Sequence, residues 1–354
     1  MASAASDWNA AFVVVAAVAV TIAALWRWRR NKFNFFKERG IPGPEPSLIS
    51  GNFFQLWNQD TIKVLDEWSN TYGDIYGIFN GDAPFLMVKD LELLRRVFIK
   101  DFAMFVDRGD VWALMSANPE QRNSLSFAKA DRWKFIRRFV SMAFTSAKLR
   151  PMMGNMSKAV DHFLDLLEAR CRQAPDGEAN AHPLLGCLAF ELVAETACGL
   201  FLDVQHKPND KYFDSAKSYT LNVVDSAYQR AGQFFSGLKG IVCLLERHFG
   251  HEPLVALAHR AVPIVAFREK DSSLARPDLL QTLLEAKVPE ELLTKCEFRE
   301  RPNAKGDFLM PVRHVASNAA TILTAGFETV SANSSHCAFC LAKYPRSKKK
   351  SDKK

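Results

Sequence analysis

The chain has 354 residues, of which 48% are hydrophobic and 24% charged, an ordinary globular balance with enough length for one large domain or two smaller ones. Its formal net charge of +7 is mostly local. Residues 343–354 hold seven Lys/Arg and one acid, Asp352, so about +1 is left for everything before them. With no basic face interleaved with aromatics and no reading helix, the charge argues against a nucleic-acid partner.

Residues 9–26, "NAAFVVVAAVAVTIAALW", carry no charge across 18 positions. As a helix they would extend about 27 Å, enough for a thin bilayer. Arg27, Arg29, Arg30 and Lys32 follow, so the positive-inside rule places the bulk of the chain in the cytosol. The basic cluster lies after the apolar run, the reverse of a secretory signal. The expectation is an uncleaved membrane anchor over residues 1–30, with Trp26 and Trp28 at the interface. Seven scattered cysteines, an odd number, suggest no disulfide framework and agree with a reducing compartment. Cys337 and Cys340 form a lone C-x-x-C, read as packing. His248 and His251 form an unsupported pair, read as loop. The sequons at Asn155 and Asn333 should go unused in the cytosol.

Residues 31–46 form a proline-rich hinge, where Pro42, Pro44 and Pro46 each fix a backbone angle. The segment "TIKVLDEWSNTYG" predicts an amphipathic helix ending near Gly73. "IYGIF" and "PFLMV" predict a hairpin around Asn80-Gly81, and Asp90 caps the following "LELLRRVFI". Beyond that the pattern is helical: 155–172, 183–201, 210–235, 253–270, 277–286 and a long segment at 312–343. A small sheet near the front and many helices behind it give a mainly α architecture. Residues 344–354, "YPRSKKKSDKK", read as a basic disordered tail.

The ordered set "GIPGPEPSLISGN", "YGDIYGIFNGDAPFLMVKDLELLRRVFI", "DRWKFIRRFVSMAFTSAKLRPM" and "AGFETVS" resembles a microsomal cytochrome P450, nearest the clan of the drug-metabolising 3A enzymes. The resemblance implies that fold, with residues 47–343 as a partial P450 domain. It also implies heme b, electrons from NADPH through cytochrome P450 reductase, and location in the endoplasmic reticulum membrane. The substrates implied are lipophilic molecules, and the activity is monooxygenation with molecular oxygen. Trp133 and Arg137, four apart on one helix, would hold a haem propionate as the family's W-x-x-x-R pair does, and Arg108 falls where the 3A-like enzymes place another propionate-binding arginine. In "AGFETV", Ala325 and Gly326 would let the long helix lie close to the porphyrin. Glu328 and Thr329 match the family's proton-delivering acid–alcohol pair. Thr329 can bond back to the carbonyl of Ala325, which bends a helix. Phe102, Phe105, Phe127, Phe234, Phe235, Ile322 and Phe327 are the candidate substrate lining.

One departure stands beside these matches. The family's axial cysteine sits in a Phe-rich, Gly-containing loop, and no stretch here matches it. "FFSGLKGIVC" comes nearest, with Cys243 two positions too far from Gly237. The later E-x-x-R helix is also missing; Glu92 and Arg95 have that spacing in an early helix. The expectation is a fragment ending at or just after the oxygen-activating helix, so no metal ligand is assigned. The alternative is a catalytically inactive, membrane-anchored short product with a binding or partner role.

Overall fold

The computed structural model describes residues 2–57, 60–109, 118, 121–222, 226–250, 252–276, 278–295, 302–303 and 305–344, leaving aside the side chains of 2–11, 14, 221, 222, 294 and 295. The basic tail from residue 345 onward, and His251 and Cys296, lie outside these residues. The chain divides into two compact units, Met1–Leu114 with Ala227–Leu245, and Met115–Ser226 with Glu246–Lys354.

In the first unit, α1 spans Ala2–Phe33. Its described apolar side chains stand in the open, with Phe12 73% and Val20 69% exposed. Among the described residues no helix is long and apolar enough to cross a membrane, so the structure does not carry the transmembrane reading of 9–26. Part of that segment, residues 9–11 and 14, has no described side chains. The expected surface cluster after it is partly interior. Arg29 is only 6% exposed, and its guanidinium donates to the carbonyls of Leu48, Ile49 and Phe234. Lys32 pairs at 2.9 Å with the fully buried Asp82, which also accepts from the backbone N–H and hydroxyl of Ser236. Buried charges persist only when paired in this way. Phe33 and Phe36 close over Phe79 in edge-to-face contacts of 4.9 and 5.2 Å.

The proline segment that follows is extended and tied down. Gly77 N–H donates to the carbonyl of Pro42 at 2.8 Å, and a Cβ on Gly43 would sit 2.0 Å from the Gly77 oxygen. After α2 (Phe53–Trp57), Asp60 caps α3 (Thr61–Tyr72) through Ile62 and Lys63 N–H, and the helix stops at Gly73. The hairpin pairs β1 (Ile75–Asn80) with β2 (Ala83–Val88), antiparallel, from Ile75 opposite Val88 to Asn80 opposite Ala83. That register leaves Gly81-Asp82 as a two-residue turn, with Gly81 at φ 65°. Asp90 caps α4 (Leu91–Arg95) through Leu93 N–H at 2.6 Å, and a π turn follows over Arg96–Lys100.

The second unit is helical. It runs through α5 (Ala130–Ala143), α6 (Ser146–Leu149), α7 (Met153–Gln173), α8 (Ala181–Cys198) and α9 (Lys211–Asn222). The predicted helix over 210–235 is instead two, because α10 (Ala227–Phe234) starts anew after the non-helical Ser226 and belongs to the first unit. His248 is helical within α11 (Lys239–Phe249), not loop. Then come α12 (Pro253–Lys270), α13 (Leu279–Leu284), α14 (Glu290–Lys295) and α15 (Val312–Lys343). The core gathers round α15, which packs on α8 and α12 and buries Val315, Ala319, Leu323 and Phe327 at 2% exposure or less. Each such large apolar side chain contributes about 1.5–3 kcal/mol. Beside the core, Arg268 and Asp278 form a buried two-contact ion pair at 2.6 and 2.8 Å, and Asp278 also caps α13 through Gln281 N–H.

Candidate functional site

Helix α15 changes character along its length. From His314 to Thr324 almost every side chain is buried; beyond, Ala325, Thr329, Ala332, Asn333 and His336 form one exposed stripe at helical spacing. The Thr329 hydroxyl donates to the carbonyl of Ala325 at 2.8 Å. Thr321, Thr324 and Ser335 make the same four-residue bond, to Ser317, Ala320 and Ser331. Such bonds compete with the helical ladder and favour bending. Glu328, next to the stripe, is half-buried.

Gly326 has a different reason for being glycine than the sequence reading supposed. A Cβ there would lie 2.7 Å from Cγ2 of Val193, so the glycine lets α15 approach α8. The small surface that α15 presents outward belongs to Ala325 and Thr329.

On α5, Phe135, Ile136 and Val140 face the core. Trp133 is half-buried against that core, and Arg137, one turn later, is exposed. Ala130, the first residue of α5, has φ 45°, the only positive φ of a non-glycine residue among those described. Arg108 is exposed in the first unit.

The candidate lining residues have separate surroundings. In the first unit, Phe102 and Phe105 are exposed, Phe234 is buried edge-on against Phe53 and Phe54, and Phe235 lies under the Arg29 guanidinium at 4.8 Å. In the second unit, Phe127 and Ile322 pack against the core, and Phe327 is inside it, 5.7 Å from Phe190 and 5.6 Å from Phe213.

One polar cluster escaped the sequence reading. Arg132 donates to the side-chain oxygen of Asn123 at 2.7 Å, which turns the Asn123 amide nitrogen to His314 Nε2 at 2.9 Å. An amide nitrogen only donates, so His314 is neutral with its proton on Nδ1. Burial first, then Arg313, Arg132 and Arg122, push His314 down to about 3. Asn318, one turn on, accepts from Leu125 N–H and donates to the carbonyls of Asn123 and His314. The loop before α5 is thereby fastened to the buried half of α15. Two polar residues four apart on the apolar face of a helix were the available signal.

The description of the cytochrome P450 family matches residues 41–353, and the chain belongs to that family. Within it the chain is close to the 3A clan. Cytochrome P450 3A11 of Mus musculus is 26% identical over 350 residues, covering 94% of this chain and 63% of the relative. Cytochrome P450 3A31 of Mesocricetus auratus is 28% identical over 216 residues, 60% of this chain and 41% of that one. Cytochrome P450 6B2 of Helicoverpa armigera is 30% identical over 196 residues, 54% and 38% respectively. The chain thus spans less than two thirds of the length of these curated relatives.

The family's cofactor is heme b, with electrons from NADPH through a reductase. The residues present fit that group by their chemistry: an indole N–H and a guanidinium one turn apart suit a propionate, and the small outward side chains of Ala325 and Thr329 suit a flat ring. Among the described cysteines, burial pushes up the Cys187 thiol, and pushes that of Cys198 up to about 12. Both therefore hold their protons at neutral pH.

Proposed function

We propose that this chain is the membrane-bound, oxygen-activating portion of a cytochrome P450 monooxygenase that oxidises lipophilic substrates, with NADPH–cytochrome P450 reductase as its partner. The observation that carries the reading is the exposed Ala325–Thr329 face of α15 with its hydroxyl-to-carbonyl bond, in a chain of this family. Haem, when bound, would supply the activation of dioxygen. Trp133 and Arg137 would hold a propionate. Ala325 leaves room beside the ring. The Thr329 hydroxyl rests as a donor to the Ala325 carbonyl, with its oxygen lone pairs open to a water O–H. Turned away from that carbonyl, the hydroxyl would give its proton to an acceptor on the open side of α15 and take one back from the water, so that it carries no net charge.

The anchor belongs to the same reading. The open apolar side chains of α1 and the basic residues after it support residues 9–26 as a single pass in the endoplasmic reticulum membrane, with the bulk in the cytosol. Carbonate extraction leaves such a chain in the pellet; recovery in the soluble fraction removes the anchor.

The catalytic reading is tested in a protein that continues this chain through the axial-cysteine region. Thr329→Ala is expected to raise the peroxide formed per NADPH consumed, and unchanged coupling removes Thr329 from its role. Residues 1–354 by themselves are expected to lack the red-shifted Soret band of a reduced, carbon-monoxide-bound thiolate haem. That band with stoichiometric haem would show that a cysteine of this chain serves as axial ligand.

A further inference from the structure

A cleft of about 410 Å³ opens beside the end of α1. One wall is a single face of that helix, Trp26, Arg30 and Phe33, continued by Asn34 and Lys37; the other is the proline segment, Glu45, Pro46 and Leu48. Both walls are held in place. Phe33 is buried against Phe79, and Asn52 donates to the carbonyl of Glu45 at 3.2 Å. Arg29 draws α1 to the carbonyls of Leu48 and Ile49. The cleft is therefore formed before any ligand arrives.

Its chemistry is mixed. The Arg30 guanidinium lies 5.2 Å from the Trp26 ring, and Lys37 pairs with Glu45 at 2.7 Å across the opening. That ion pair is exposed on both sides, so it is weak and exchanges readily. Arg30, Lys37 and Glu45 leave one net positive charge, which balances the single negative charge of a phosphodiester. Asn34 adds a neutral donor, and the Trp26 and Phe33 rings offer apolar surface for glycerol and the upper acyl carbons.

Position selects the source of the phosphate. Arg30 lies four residues past the last position of the apolar segment, about 6 Å along a helix axis. The headgroup layer on each side of a bilayer is of similar depth, roughly 5–7 Å. We propose that this cleft binds the phosphate of a membrane phospholipid headgroup, with Arg30, Asn34 and Lys37 as donors. The inference rests on the anchor reading of residues 9–26.

The full chain, placed in nanodiscs of phosphatidylcholine and released into native mass spectrometry, is expected to keep one phospholipid. Arg30→Gln and Lys37→Gln should each lower that retention about tenfold, the effect of one charge-assisted hydrogen bond. Arg39→Gln, outside the cleft with its guanidinium over Phe35, should leave retention unchanged. Equal retention in wild type and Arg30→Gln overturns the proposal. Displacement by inorganic phosphate as readily as by a soluble short-chain phospholipid overturns the lipid in favour of a free-anion site. Incorporation into the discs is scored first: an Arg30→Gln chain that enters normally but keeps no lipid supports the cleft. A wild-type chain that never enters overturns the anchor and this inference with it.

Discussion

The two halves of α15 share one backbone and differ in everything around it. From His314 to Phe327 one face of the helix packs on α8 and α12, whereas Ala325 and Thr329 face outward and Val330, Phe339 and Leu341 stand open at 47%, 58% and 44%. In the enclosed half, Asn318 holds its place with three hydrogen bonds. The open half carries the residues proposed for chemistry. Burial fixes the helix, and exposure leaves a surface on which a ligand can lie.

Truncating one aromatic on each half breaks this comparison if it is wrong. Phe327→Ala is expected to cost about 3–5 kcal/mol, as a buried aromatic does, and Phe339→Ala less than about 0.5. Equal shifts in the denaturant midpoint would mean that the halves are equally packed.

Acid sharpens the comparison from the buried side. His314 titrates at about 3 in the folded chain against 6.5 ordinarily, so the unfolded chain binds the extra proton between those values. Stability should therefore fall as pH drops below about 6.5, by roughly 2–3 kcal/mol at about pH 4.5. His314→Gln should flatten that slope in pH-dependent melts. An unchanged slope in His314→Gln would place the acid sensitivity elsewhere.

How much of this was legible in the sequence follows from the range of each signal. The cap at Asp90, the hairpin (with its turn at Gly81-Asp82, one residue beyond Asn80-Gly81) and the span Val312–Lys343 depend on local chemistry, and they were readable. The Thr329 back-bond was also foreseeable, since its partner is four residues away. The burial of Arg29 was not, because its acceptors Leu48, Ile49 and Phe234 are distant in sequence. Nor was the reason for Gly326, since Val193 lies on another helix. A single break near Ser226 likewise escaped a pattern that looked continuous from 210 to 235.

The smallest expected effect concerns that glycine. Gly326→Ala should destabilise by about 1–2 kcal/mol through overpacking against Val193, and adding Val193→Ala should recover most of the loss. A Gly326→Ala change that leaves the thermal midpoint unmoved would show that α15 and α8 have slack between them.

The clasp of Arg29 and Lys32 makes α1 a lever. Its 32 residues span about 48 Å, and its last turns are fastened to the hairpin turn through Asp82. The proline segment lies alongside, tied to β1 by the Gly77 N–H to the Pro42 carbonyl at 2.8 Å. An angular change of about 20° in α1 therefore moves its far tip by about 16 Å relative to the clasp. Held at the tip instead, the same helix turns the hairpin through the full angle.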